Sequence, residues 1–349
     1  MSLSVNGLNA SYVSFNGKKT AEVADTKKTG KAKQFLKSSA GVAAGTAVYV
    51  GLPKLVKKAS KPYGQYVMDC LQKSCDPSNI ETVRKAVGTA FEQTGLKGAG
   101  FKIHDVNSVK SLNITTKDIV ERLKIVVVEK LDKVKKIMPE KLTNKVDWGN
   151  ITSKAKDIDW ELAVDVPLSV VKEGKNAFFM PWTKDIAVNL EKMPMATFHE
   201  MGHAVNSTTK LGKLLQTAGG PMRMFAVPVI LAVALLKRNK AEGEKPQGAV
   251  DKTTTFIKNN AGKLAFAAWL PTLAEEGMAS IRAAKMAKGA GLSADLLKNL
   301  NKGNAKAWTT YLIGAAATAA AVRAAVWVKD KIAESKGKKE AAMTDKKVA

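Results

Sequence analysis

The chain has 349 residues, of which 45% are hydrophobic, and 56 Lys and Arg against 31 Asp and Glu give a formal net charge of +25. This apolar content excludes an intrinsically disordered chain. Cys70 and Cys75 are its only cysteines, so a disulfide-stapled scaffold is excluded as well.

The basic charge comes almost entirely from Lys, and Arg is rare beside it. Proteins that read base edges favour Arg, because its planar guanidinium pairs with guanine. Lys spread along a chain is more typical of solvated faces or of contact with an anionic membrane surface. We therefore expect no specific nucleic-acid partner. A basic nucleic-acid binder remains an alternative, which would require tight, salt-sensitive binding.

The first half of the chain predicts a tail, an apolar segment and a soluble helical region. Residues 1–37 form a flexible basic tail in this interpretation, and residues 57–164 form a helical accessory region. Between them, residues 38–56 contain the apolar stretch Ala40–Leu52, which is short for a full membrane span. Gly41 and Gly45 are spaced for close helix packing. We expect residues 38–56 to associate with a membrane, although a buried soluble helix is the alternative.

The second half holds the longer apolar stretches. Residues 222–272 predict a hydrophobic hairpin with Met224–Leu236 as its first arm and Leu264–Leu270 as its second. Residues 305–329 predict a transmembrane helix, with Trp308 near one end where interfacial aromatics belong. Residues 330–349 form a charged tail. The sequence therefore predicts an integral or tightly bound protein of the cell membrane, with membrane lipids as partners.

The segment Thr197–Asn206 reads TFHEMGHAVN and contains an H-E-x-x-H motif. His199 and His203 are four residues apart, so on a helix both imidazoles project from one face and can bind one Zn²⁺. Glu200 stands beside them, where it can accept a proton from a metal-activated water. The motif predicts a zinc site, with Glu200 as its catalytic residue.

A hydrolytic zinc site needs a third protein ligand. No His follows His203 in the chain, so the ligand should be an acid. The segment Leu270–Lys285 predicts a helix on which Glu276 shares its less polar face with Leu273 and Ala283. Glu275 shares a face with Arg282, so we expect it to be solvated and choose Glu276 as the ligand. The alternative is that both acids are surface residues.

Two short β-prone pieces, Phe178–Met180 and Ile186–Asn189, precede the motif and flank Pro181. An edge strand beside a metal site can pair with an extended peptide through main-chain hydrogen bonds. An ordinary core hairpin is the alternative. A hydrolytic zinc site commonly also has a hydrogen-bond donor that stabilises the negatively charged oxygen formed when water attacks a carbonyl. By residue type only, the candidates for this donor are His104, Tyr311 and Arg282.

These motifs resemble those of the membrane-associated gluzincin peptidases that include CAAX prenyl proteases and heat-shock membrane metalloproteases. The likeness covers roughly residues 165–290: an N-A-F strand at Asn176-Ala177-Phe178, the H-E-x-G-H helix, the hydrophobic hairpin, and the start of an E-x-x-A-D helix at Glu276-Gly277-Met278-Ala279. The resemblance implies a mainly α fold with a small β-sheet, in which a zincin-like metalloprotease core at 165–300 is joined to additional membrane helices. It also implies that Asn176, Ala177 and Phe178 contact the substrate.

The chain departs from that family at one position, because Ser280 stands where the family has an Asp that supports a zinc-binding His. Ser orients an imidazole more weakly than a carboxylate does. The predicted function is a membrane-associated zinc-dependent endopeptidase that hydrolyses polypeptides with a metal-activated water. The alternative that Ser280 leaves open is a catalytically weak or inactive zinc-binding membrane scaffold.

Overall fold

The protein is described by a computed structural model for residues 41–51, 64–72, 76–106, 147–150, 168–237 and 244–348, with single positions at 125, 129, 132, 135, 136, 153 and 239. Its chain divides into two compact units. The first, here the sheet unit, comprises Gly64–Lys213 and Glu275–Ala307. The second, here the helical unit, comprises the described residues of Gly41–Gly51, Leu214–Ala274 and Trp308–Ala349.

The described part of the chain is mainly helical, with one small sheet, as the sequence predicts. Its strands are β1 (Lys102–Asp105), β2 (Phe178–Met180) and β3 (Asp185–Val188). Its main helices are α1 (Gly41–Gly51), α2 (Pro77–Gln93), α3 (Ala196–Thr208), α4 (Lys210–Pro221), α5 (Val227–Leu236), α6 (Gly248–Asn259), α7 (Ala261–Ala267), α8 (Leu270–Gly289) and α9 (Ala294–Val348).

The sheet has the strand order β1-β3-β2, with β3 fully buried in the centre. β2 runs antiparallel to β3 in the register Phe178↔Ala187, as expected for the two β-prone pieces. β1 runs parallel to β3, with His104 opposite Ala187. β1 is a correction, because the sequence predicts helices in that region. A four-residue strand carries too short an apolar pattern to be recognised without its partner.

The helix α3 is the buried centre of the sheet unit and packs against β2 and β3. Phe198 and Met201 are fully buried on it, and His199, Glu200 and His203 are buried as well. The helix ends where Thr209 adopts an extended backbone, with φ −100° and ψ 147°. This placement sets the H-E-x-x-H motif on a buried helix that packs against the sheet, rather than on a loop.

The helical unit is built by apolar helices with small contact residues. Gly45 of α1 lies so close to α9 that a Cβ atom there would come within 2.7 Å of the Ala325 carbonyl oxygen and 2.9 Å of Leu235 Cδ2. Gly41 approaches Lys329 on the same helix, where a Cβ would lie 3.3 Å from the Lys329 oxygen. The predicted small-residue packing of Gly41 and Gly45 is therefore found, with α9 as the neighbour.

Two helical stretches, Lys210–Leu236 and Ala294–Ser335, are long and apolar enough to cross a membrane. The first joins α4 to α5 through a π-helical turn at Met222–Ala226. The helix Gly41–Gly51 is apolar but shorter. The second arm of the predicted hairpin is not one helix, since α7 ends at Ala267 and α8 begins at Leu270.

Several sequence predictions fall outside the described residues. They include the basic tail at 1–37, Cys75 and most of the accessory region between 107 and 167. Cys70 is described, and it is a buried free thiol.

Candidate metal centre

The two motif histidines bring their Nε2 atoms together on the buried face of α3. His199 Nε2 and His203 Nε2 lie 3.0 Å apart, and the rings meet edge to face with an interplanar angle of 87°. Their spacing of four residues places them one turn apart on the same side of the helix. The pair thus offers two nitrogen ligands to a single point, as the motif predicts.

Glu276 completes this group from the neighbouring helix α8. Its Oε2 atom lies 3.2 Å from His199 Nε2 and 3.6 Å from His203 Nε2. Two ligands of a tetrahedral zinc at the usual bond length of about 2.0–2.1 Å are separated by about 3.3 Å. The three observed separations straddle that value, so the donor set fits one small tetrahedral cation of the zinc type.

Glu200 is buried beside this donor set. One of its carboxylate oxygens and the ligand nitrogens of His199 and His203 all lie within 4.8 Å of one another. The three residues form a buried group that could hold a metal ion, and a second group consists of His203, Glu275 and Glu276. Glu200 and Glu276 therefore both offer a carboxylate near the two imidazoles.

The two histidines of the site have pKa values that are shifted in opposite directions. Burial lowers the pKa of His199 to about 4, and its contact with Glu276 offsets this only in part. Burial also acts to lower the pKa of His203, but the charges of Glu275 and Glu276 outweigh it, so the pKa of His203 is raised. His199 is therefore a neutral imidazole at neutral pH, which is the form that binds a metal.

Glu275 is buried, and the expectation that it is solvated is wrong. It is only 6% exposed, and its Oε1 atom accepts hydrogen bonds from His203 Nδ1 at 2.8 Å and from Asn206 Nδ2 at 2.9 Å. Burial raises its pKa, but His203 and Asn206 lower it by more, so the pKa of Glu275 is lowered overall. The Glu275 carboxylate is consequently ionised, and it contacts the His203 ring at Nδ1.

A close helix crossing explains why Glu275 is inside. A Cβ atom on Gly202 of α3 would lie 2.3 Å from the Ala279 carbonyl oxygen of α8, so only Gly permits this approach. The crossing buries a wide strip of α8 that includes Glu275 as well as the predicted face of Glu276 and Ala283. A helical projection treats the helix alone and cannot anticipate how closely its neighbour approaches.

Ser280 faces the other histidine. Its Oγ atom lies 3.4 Å from His199 Nδ1, which is long for a hydrogen bond. Ser280 thus offers His199 Nδ1 at most a weak hydrogen bond. Asn206 is the residue of the site that the sequence analysis missed, and its spacing of three residues after His203 on one helix was the available signal.

The predicted substrate-contacting residues lie at the start of β2. Phe178 opens the strand, Ala177 is fully buried in the core of the sheet unit, and Asn176 precedes it and is half-buried. β2 is an edge strand of the described sheet, because β3 lies on its one paired side. That edge is where an extended peptide could add.

The third histidine belongs to the sheet rather than to this site. His104 Nε2 lies 2.8 Å from Asp185 Oδ1, and both side chains are buried. It is a satisfied structural histidine, which makes it a poor oxyanion donor.

No protein-family model matches this chain, and no match is found among curated proteins or among solved structures.

Proposed function

We propose that the protein is a membrane-associated zinc-dependent endopeptidase of the gluzincin type. The observation that supports it best is the convergence of His199 Nε2, His203 Nε2 and Glu276 Oε2 at mutual distances of 3.0 to 3.6 Å, with Glu200 beside them. A buried set of two imidazoles and one carboxylate, next to a second carboxylate, is the donor chemistry of catalytic zinc in peptidases.

In this proposal His199, His203 and Glu276 would hold the zinc ion, which would supply a water molecule of lowered pKa and polarise the scissile carbonyl. Glu200 would accept a proton from the attacking water on a carboxylate oxygen and pass it to the leaving amine. Its burial at 1% exposure, beside the two histidines, supports this role, because the carboxylate is held within the site rather than in bulk solvent.

The substrate in this proposal is a polypeptide in extended conformation. β2 packs against α3 and stands at the edge of the sheet, so a peptide added there would run beside the metal-binding helix. Main-chain pairing gives affinity without requiring one sequence. At the start of β2, that peptide would contact Asn176, Ala177 and Phe178.

Association with a membrane is supported by the two helical stretches of sufficient length and apolarity. It is supported further by exposed apolar side chains on the first stretch, of which Met224 is 67% and Phe225 is 66% exposed. Large exposed apolar surface on a soluble monomer is unusual. The proposed location is the cell membrane, with lipid as the contacting phase.

The test uses the full chain extracted from membranes, with Glu200→Gln as the variant. We expect Glu200→Gln to retain stoichiometric zinc and to cleave a casein-like unfolded substrate about 10²- to 10⁴-fold more slowly, because proton transfer is lost. Glu276→Ala should lower the zinc content itself. Unchanged cleavage by Glu200→Gln, or full zinc occupancy in Glu276→Ala, would contradict the proposal.

A zinc-binding scaffold without turnover is a second candidate, which the long Ser280–His199 contact favours. A weakly oriented imidazole could still hold a metal while supporting little catalysis. This candidate predicts stoichiometric zinc and no cleavage of either an unfolded or a membrane-embedded substrate by the wild-type protein.

A further inference from the structure

The two motif histidines are supported unequally at the ring nitrogens that point away from the donor set. His203 Nδ1 is 2.8 Å from a buried carboxylate oxygen of Glu275, whereas His199 Nδ1 is 3.4 Å from the hydroxyl of Ser280. The first is a short, charge-assisted hydrogen bond and the second is long and neutral.

The contact of His203 fixes where its proton sits. An ionised carboxylate can only accept hydrogen bonds, so Nδ1 of His203 must carry the hydrogen. In the neutral ring, Nε2 then presents its lone pair toward His199 Nε2 and Glu276 Oε2. A hydroxyl can donate or accept, so Ser280 fixes no such state for His199.

Glu275 is itself held from α3. Asn206 Nδ2 donates to Glu275 Oε1 at 2.9 Å and to the Glu275 main-chain oxygen at 3.2 Å. The amide has two hydrogens, so it can make both bonds at once and fix the side chain and the backbone of Glu275 together. Because His203 and Asn206 lie one turn apart on one helix, a single carboxylate joins that helix to α8 at two points.

We propose that Glu275, held by Asn206, is the positioning residue that orients His203 for metal binding, and that the site depends on this support more than on Ser280. The inference rests on the metal-binding part of the proposed function and not on proteolysis. Carboxylate support of a metal-binding imidazole fixes the ring and raises its basicity, and its loss typically weakens metal affinity about 10- to 100-fold.

The experiment compares Glu275→Gln with Ser280→Ala in the full-length protein, by competition for zinc against a chelator. We expect Glu275→Gln to weaken zinc binding about 10- to 100-fold and Ser280→Ala by less than about threefold. Gln keeps the shape and one acceptor oxygen, so the variant removes the charge with little disturbance of the fold. Zinc binding by Glu275→Gln within threefold of wild type, or an equal loss in Ser280→Ala, would overturn the inference.

A second readout reports the imidazole directly and needs no metal. In the metal-free protein at a pH above the pKa of His203, where the ring is neutral, ¹⁵N shifts of that ring should show a protonated Nδ1 in wild type and a mixture of tautomers in Glu275→Leu, while Ser280→Ala leaves the His203 shifts unchanged. Should Glu275→Leu fail to fold, Asn206→Ala tests the same support, with a zinc affinity expected between those of wild type and Glu275→Gln. A His203 ring that is unaffected by both variants would refute the positioning role.

The failure of this inference differs from the failure of the proposed function. Tight zinc binding by the wild type without peptide cleavage would remove the endopeptidase and leave the role of Glu275 intact. Tight zinc binding and active cleavage by the wild type, with unchanged zinc affinity in Glu275→Gln, would refute the role of Glu275 and leave the endopeptidase intact. A wild-type protein that binds no zinc would overturn both.

Discussion

The sheet unit and the helical unit bury different kinds of side chain. The sheet unit is filled by large residues such as Phe198, Met193 and Ile186, and it also encloses the site histidines and carboxylates. The core cluster of the helical unit consists of Val, Leu and Ala: Val227, Leu231, Ala234, Leu235, Ala261, Ala265, Ala268, Val322, Ala325 and Val326.

This difference shows how one chain can carry both a polar site and an apolar surface. Buried polar groups are tolerated in the sheet unit because they pair with one another, as Glu275 does with His203 and Asn206. In the helical unit, small residues let helices approach closely and larger apolar side chains such as Phe225 remain outside. The first arrangement suits chemistry, and the second suits a lipid environment.

The largest effect on stability and zinc binding should come from adding a side chain at the close approach of α3 and α8. Gly202→Ala places a methyl group 2.3 Å from the Ala279 carbonyl oxygen, which forces the helices apart. We expect a destabilisation of about 1–3 kcal/mol and weaker zinc binding, because Glu276 then moves away from His199. Hydrogen exchange of the sheet unit and chelator competition measure the two effects.

The control for that substitution is Gly88→Ala in α2, where a Cβ would meet no atom within 4 Å. Ala is the better helix former there, so stability should rise by about 0.5–1 kcal/mol with zinc affinity unchanged. Equal changes in stability and zinc affinity in Gly88→Ala and Gly202→Ala would show that the crossing at Gly202 is not close.

A smaller effect, confined to the helical unit, should follow from Gly45→Ala. The new methyl group would lie 2.7 Å from the Ala325 oxygen, and α1 must shift to accommodate it. We expect the loss to lie toward the lower end of about 1–3 kcal/mol, seen as faster exchange of α1, while zinc binding stays at the wild-type level. Gly51→Ala, with no atom within 4 Å, is the matched control. Loss of zinc binding in Gly45→Ala would break the proposed division of roles.

The pH dependence of zinc binding tests the electrostatics of the sheet unit. The raised pKa of His203 means that this ring is protonated in the metal-free site over a wider pH range than a free histidine. Zinc must displace that proton, so affinity should fall about tenfold per pH unit below the pKa of His203. The pKa of His199, lowered to about 4, adds a second proton only near pH 4. Calorimetry in buffers of different ionisation enthalpy should count about one proton released between pH 5 and 6; a count of zero would contradict the charge assignment.

The smallest change in stability, below about 0.5 kcal/mol, is expected from substitutions at exposed positions. A spin label attached there reports whether the position faces lipid or water. Val229 in α5 and Ile281 in α8 are 59% and 58% exposed, one in each unit. With Cys70→Ala and Cys75→Ser as background, a nitroxide at Val229→Cys in vesicles should collide more with oxygen than with a water-soluble nickel chelate. The label at Ile281→Cys should show the reverse, and equal water access at both positions would count against lipid contact of α5.

Much of the site follows from local sequence, because its parts obey helical periodicity. His199 and His203 are one turn apart whatever surrounds them, and Glu276 lies on the apolar side of a helix that begins near Pro271, as observed. The strands on either side of Pro181 also follow from short β-prone runs. The parallel pairing of β1 with β3 does not, since it joins Lys102 to Asp185 across a long stretch of chain.

The sequence by itself therefore predicts an H-E-x-x-H motif on a helix, a mainly helical chain with apolar segments, and Glu276 as an acidic third ligand. Only the tertiary structure decides that Glu275 is buried, that Asn206 and His203 share its carboxylate, and that Ser280 lies at the far side of His199. The physical reason is that burial of a residue on a helix depends on the distance to the neighbouring helix. Here that distance is set by Gly202 against Ala279, a contact that no single helix encodes.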